Sequence, residues 1–108
     1  MNNWQEVTAQ YVLELLDNGN IDGNQIIDVR EGFEWEFYHL EPSVLIPMNT
    51  IPERLGEIDG GKPLYIVCAH GVRSAAVCNY LEEQGYSSLH NVAGGMAAIA
   101  SLKGFQYD

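Results

Sequence analysis

Cations are scarce in this chain: five lysines and arginines stand against fifteen acidic residues in 108, a formal charge of −10. Such a field repels phosphate backbones and anionic lipid headgroups, so neither nucleic acid nor a membrane is expected as a partner. It also opposes an anionic substrate, which local donors would have to hold. Cysteine is sparser still. Cys68 and Cys78 are too few for a disulfide scaffold, and His39, His70 and His90 lie too far apart to complete a spaced metal motif. Reduced thiols and no metal site are expected. No run approaches the roughly 18 to 20 apolar residues that cross a bilayer, and Met1 to Glu6 carries neither a basic nor an apolar signal region, which reads as a cytoplasmic protein. Repeats and low-complexity tracts are missing too, because the eleven glycines and four prolines are scattered between apolar runs. One domain spanning 1–108 is expected.

What is present alternates in period. Thr8 can cap a helix whose Ala9, Val12, Leu13 and Leu16 fall on one face, with Asn18-Gly19 as its stop. Gln25 to Val29 reads as a strand. A helical turn follows in which Phe33 and Phe37 share a face while Glu34 and Glu36 point to water. Val44 to Pro47 is a second strand closed by proline, and Pro52 stands where a helix can start. Leu64 to Val67 is a short apolar run of the kind buried on both faces of a parallel sheet, and Arg73 to Gln84 is a helix ended by Gly85. Ser88 to Val92 is a further strand, and Gly94-Gly95 leads into a last helix built on Met96, Ile99 and Leu102. Strands alternating with helices imply an α/β fold with a central, mostly parallel sheet covered by helices on both faces. In such folds ligands bind beyond the carboxyl ends of the strands.

Cys68 ends one of those strands. The segment Cys68-Ala69-His70-Gly71-Val72-Arg73-Ser74 joins it to a helix, so backbone N–H groups can converge on the sulfur while the helix start adds partial positive charge. Such a setting lowers a thiol pKa below its usual value near 8.5, and an activated Cys68 is expected. Gly71 permits a turn with positive φ, small Ala69 leaves room above the sulfur, Arg73 offers a planar fork to an oxyanion, and Ser74 can cap the helix. A lone cysteine ending a strand is ordinarily core filler. Here its neighbours reverse that reading, whereas Cys78, lying beside Val77 and Leu81 within a helix, is read as packing. Arg30 and Asp28 are expected to brace the fold.

The pattern Cys68-x-x-Gly71-x-Arg73-Ser74 after an apolar strand resembles the active-site loop of the rhodanese family of single-domain sulfurtransferases. Asp28-Val29-Arg30-Glu31 resembles that family's early signature and Asn91-Val92-Ala93-Gly94-Gly95 its late double-glycine motif, so the likeness runs along nearly the whole chain. It implies a rhodanese-like fold and a double displacement in which Cys68 accepts a sulfane sulfur as a persulfide and passes it on. Ala69, His70, Gly71, Val72 and Arg73 would then form the substrate cradle, with no cofactor and no metal. The implied partners are thiosulfate or a persulfide as donor, and a thiol, cyanide or a sulfur-acceptor protein as recipient. Two stretches depart from the family pattern: Met96-Ala97-Ala98-Ile99 where tryptophan is usual, and Tyr38 to Ser43 in place of Gly-His-Ile-Pro-Gly-Ala. The alternatives are a phosphatase or arsenate reductase of related fold and a non-catalytic binding module. Four residues between Cys68 and Arg73, where phosphatases of this kind have five, favour a cradle sized for one sulfur. Retention of Cys68 argues against the binding module.

Overall fold

A computed structural model describes residues 3–107. The chain runs β1 (Gln5–Val7), α1 (Ala9–Asp17), β2 (Ile26–Asp28), α2 (Gly32–Phe37), β3 (Val44–Leu45), β4 (Leu64–Val67), α3 (Val72–Glu83), β5 (Leu89–Val92) and α4 (Gly95–Leu102). A 3-10 helix over Met48–Glu57 links β3 to β4. The five strands form one sheet in the order β1-β5-β4-β2-β3, and every pairing is parallel. Parallel neighbours need crossovers, and the helices supply them.

Period-two alternation sorts the sheet into two cores. Ile27, Leu64 and Ile66 pack with Ile51 of the 3-10 helix and with Val77, Cys78 and Leu81 of α3. Ile26, Tyr65 and Val67 face the other way, against Val12 of α1 and Met96 and Ile99 of α4. Burial of β4 on both faces explains its unbroken apolar run.

Local chemistry accounts for most boundaries. The Thr8 hydroxyl accepts the Tyr11 N–H at 3.1 Å, and Gly19 turns out of α1 with φ +74°. Strand β1 has no period long enough to announce itself in Gln5-Glu6-Val7. It exists because β5 offers an open edge, pairing Glu6 with Asn91. The strands are shorter than expected at several ends: Gln25 is drawn into a 3-10 turn over Gly23–Gln25 that is closed by a capping box with Asp22. Pro52 does not open a helix but lies inside the 3-10 helix, which starts four residues earlier and kinks at Arg54. Leu102 is half exposed rather than core, because α4 meets the sheet only through its first two turns.

Candidate active site around Cys68

The polypeptide leaves β4 at Val67, and Cys68 is the first residue beyond it, only 1% exposed. Gly71 then reverses the chain with φ +101° and serves as the N-cap of α3. That conformation strains any residue with a Cβ. The turn folds the loop back over the sulfur: Sγ accepts the N–H of Gly71 at 3.1 Å and of Ser74 at 3.3 Å, and the Ser74 Oγ lies 3.3 Å away. Burial pushes the Cys68 thiol pKa up, but the Ser74 hydroxyl and the backbone N–H groups of Ser74, Gly71 and His70 outweigh it. The net displacement is below the ordinary 9.0. Cys78 lacks such donors, and burial, with Glu82 nearby, pushes its pKa to about 12. The two cysteines are both free and both buried.

Ser74 is not the helix cap its position suggested, because Gly71 takes that place and no side chain caps α3. Its buried hydroxyl instead donates to Asn91 Oδ1, and the Asn91 amide donates at 3.2 Å to the Gly71 carbonyl and to Glu6. A hydrogen-bonded chain therefore runs from an exposed carboxylate on β1 to the sulfur. Asn91 could have been found in the sequence, since a polar residue in an apolar strand must have its hydrogen bonds satisfied inside. Nothing local in Glu6 marks it.

The double glycine of residues 94 and 95 acts from below. Gly95 has φ +57°, and a Cβ there would lie 2.7 Å from the Ala69 carbonyl carbon and oxygen, nearer still to the Cys68 oxygen. This close approach lets the Met96 and Ala97 N–H groups donate to the carbonyls of Cys68 and Ala69 at 2.7 and 3.0 Å. Ala69 is thereby held against α4 and buried.

Arg73 also departs from expectation. Its fork is closed by Glu34, two N–H···O bonds of 2.9 Å each, so the cation proposed for an oxyanion already carries a carboxylate. Glu34 points inward with 17% of its side chain exposed, and only Glu36 faces water. The Arg73 hydrogen bonds hold the Glu34 carboxyl at about 2, far below the ordinary 4.5. The same pairing raises Arg73.

Arg30 positions α2 for that contact. Fully buried, it grips Asp28 at 2.8 and 2.9 Å and donates to the carbonyls of Glu34 and Tyr38 and to the Tyr107 hydroxyl. These partners satisfy a buried charge that would otherwise be costly, and the expected bracing role of Asp28 and Arg30 is what the contacts describe. His70 stands exposed at the loop tip with its ring edge-on to Tyr107 at 6.2 Å, and Val72 is exposed beside it. His39 and His90 are engaged elsewhere, stacked on Trp35 and Tyr65. Among the described residues no group of three or more His, Cys, Asp or Glu side chains is placed to hold a metal ion. No helix there is long and apolar enough to cross a membrane.

Residues 8–102 match the family model described as rhodanese-like domain. A putative sulfurtransferase of Bacillus subtilis, YtwF, is 42% identical over 73 residues, which cover 68% of this chain and 70% of that one. The thiosulfate sulfurtransferase GlpE of Shewanella oneidensis is 24% identical over 98 residues, 91% and 94% of the two chains. The crystal structure of a rhodanese-like domain protein from Staphylococcus aureus superposes with a TM-score of 0.81 at 39% identity, covering 88% of this chain and 90% of the other.

Proposed function

As the chain belongs to the rhodanese-like domain family, we propose that it is a sulfurtransferase in which Cys68 carries the sulfur as a persulfide. The observation that carries this reading is the sulfur itself, with two N–H donors and a hydroxyl within 3.3 Å and a pKa below that of an ordinary thiol. In the first half-reaction the Cys68 thiolate attacks the outer sulfur of a donor, either thiosulfate or a persulfide. The donor's S–S bond breaks, and sulfite or a thiolate leaves with the bonding pair. In the second, an acceptor nucleophile attacks the terminal sulfur, the Sγ–S bond breaks and the Cys68 thiolate is restored. Electrons balance within each exchange, so no cofactor, metal or external oxidant enters. The chemistry suits a cytoplasmic enzyme with reduced thiols.

The cradle serves both states. N–H groups of Gly71 and Ser74 hold Sγ, while those of Val72 and Arg73, in the first turn of α3, have no intrahelical acceptor and are available as donors to a terminal sulfur. Ala69 contributes by anchoring the loop to α4, and His70 borders the mouth. A loop with four residues between Cys68 and Arg73 suits a single anionic sulfur better than the three oxygens of a phosphoryl group. The neutralised Arg73 weakens the phosphatase reading further.

Intact-protein mass spectrometry after treatment with thiosulfate or a low-molecular-weight persulfide tests the proposal. One added sulfur is expected on the wild type, discharged by cyanide and absent from Cys68→Ser. A folded wild type that takes up no sulfur from either donor, or a Cys68→Ser protein that keeps full transferase activity, removes it.

A further inference from the structure

An exposed apolar surface lies beside the loop. Phe33 and Phe37, one turn apart on α2, are 75% and 61% exposed, and Val72 in the loop is 79% exposed. With Glu34 and Tyr107 the two phenylalanines line an open cleft of about 470 Å³. Phe37 packs at 5.9 Å against Tyr107, whose ring reaches His70, so the aromatic strip leads to the mouth over Cys68. Arg30 and Glu34 hold α2 rigidly from beneath, presenting its aromatic face outward. A preformed apolar strip of this kind marks an interaction site rather than a stray exposed residue.

Charge indicates what fits it. Glu31 and Glu36 flank the phenylalanines on α2. Four of the chain's five cations are tied to carboxylates, in the pairs Arg30–Asp28, Arg54–Glu57, Lys62–Asp22 and Arg73–Glu34. With a net charge of −10, the strip is an apolar patch in a negative field, and the one cation in the loop is already matched. A small dianion meets repulsion there, whereas a basic segment with apolar side chains meets complementary surface and steering.

We propose that this face docks a partner protein through a basic, apolar segment bearing the cysteine that accepts sulfur from Cys68. The inference rests on the persulfide reading above. The acceptor's thiolate attacks the terminal sulfur of the Cys68 persulfide, the Sγ–S bond breaks, and the acceptor departs as a persulfide with Cys68 returned to the thiolate.

Two measurements with defined peptides test it. The first uses the unloaded protein and a peptide Arg-Leu-Ser-Phe-Lys, in which serine stands for the reacting cysteine, against Glu-Ser-Ser-Ser-Glu, with binding followed by NMR chemical-shift titration. The basic peptide should perturb Phe33, Phe37 and Val72, and Phe33→Ser with Phe37→Ser should weaken it by about tenfold, the usual scale for loss of aromatic anchors. The second follows discharge of the Cys68 persulfide by Arg-Leu-Cys-Phe-Lys, by Glu-Ser-Cys-Ser-Glu and by cyanide. The basic peptide should be faster than the acidic one by about tenfold or more at low salt, with the advantage falling in the double Phe variant and in Glu31→Gln with Glu36→Gln while cyanide discharge stays unchanged. Equal binding of the two peptides, shifts confined to other surfaces, or equal loss of cyanide discharge would overturn the docking proposal. Failure of the wild type to load sulfur at all would instead count against the persulfide reading, and the binding measurement would still decide the docking face.

Discussion

Ser74→Ala isolates the part of the cradle that lies outside the backbone. In the thiol state Sγ–H donates to Ser74 Oγ, whose own proton is directed at Asn91 Oδ1. In the thiolate state that proton must turn to the sulfur and leave Asn91. A hydrogen bond to a charged group contributes about 1.5–3 kcal/mol, and the surrendered neutral one about 1 kcal/mol, so the hydroxyl favours the thiolate by roughly 0.5–2 kcal/mol. At 1.36 kcal/mol per unit, removing it should raise the Cys68 pKa by roughly 0.4–1.5. The Gly71 and Ser74 N–H groups persist in the variant and retain their share of the depression. The assay is the pH dependence of the iodoacetamide alkylation rate at Cys68. Cys78, fully buried and pushed to about 12, stays silent in the working range. Ser74→Thr, which keeps a hydroxyl, should restore the wild-type midpoint. A midpoint unmoved or lowered in a folded Ser74→Ala protein would refute the assignment of the hydroxyl as a thiolate donor.

Other perturbations follow from neighbouring contacts. Glu34 is depressed to about 2 from 4.5, so its pairing stabilises the fold above the ordinary value, and that contribution is lost as pH falls from 4.5 toward 2. Urea midpoints of wild type and Glu34→Gln should accordingly converge on acidification below about pH 4.5; a constant gap would show that the carboxylate's charge is idle. The same variant releases Arg73 and should lower the KM for thiosulfate by roughly two- to tenfold, as expected for one unmasked surface cation. Arg30→Met leaves Asp28 charged and buried without its partner, and chemical denaturation should report a loss of about 3–5 kcal/mol. Gly95→Ala drives a Cβ into the Cys68 and Ala69 backbone, so the variant should lose sulfur loading even where circular dichroism shows it folded.

How much of this was legible beforehand depends on the range of each interaction. Hydrophobic period and capping chemistry are local, so α1 with its Thr8 cap, the doubly buried β4, and the turn at Gly71 follow from neighbours in sequence. The sulfur's backbone donors follow as well, because a strand, a glycine and a helix start in succession leave few paths for the chain. Strand β1 did not follow, since three residues gain their hydrogen bonds only from the edge of β5.

Side chains that depend on distant partners were likewise hidden. Ser74 looked like a cap until Asn91, 17 residues away, claimed its hydroxyl; Arg73 looked like an anion fork until Glu34, 39 residues earlier, filled it. By itself the sequence determined the alternation of strands and helices, the candidate nucleophile and the loop that bends over it, because those rest on contacts within a few residues. Tertiary structure alone decided which charges cancel and which aromatic rings remain in water. Both outcomes depend on what the sheet brings within about 3 Å, and spacing along the chain does not encode that distance.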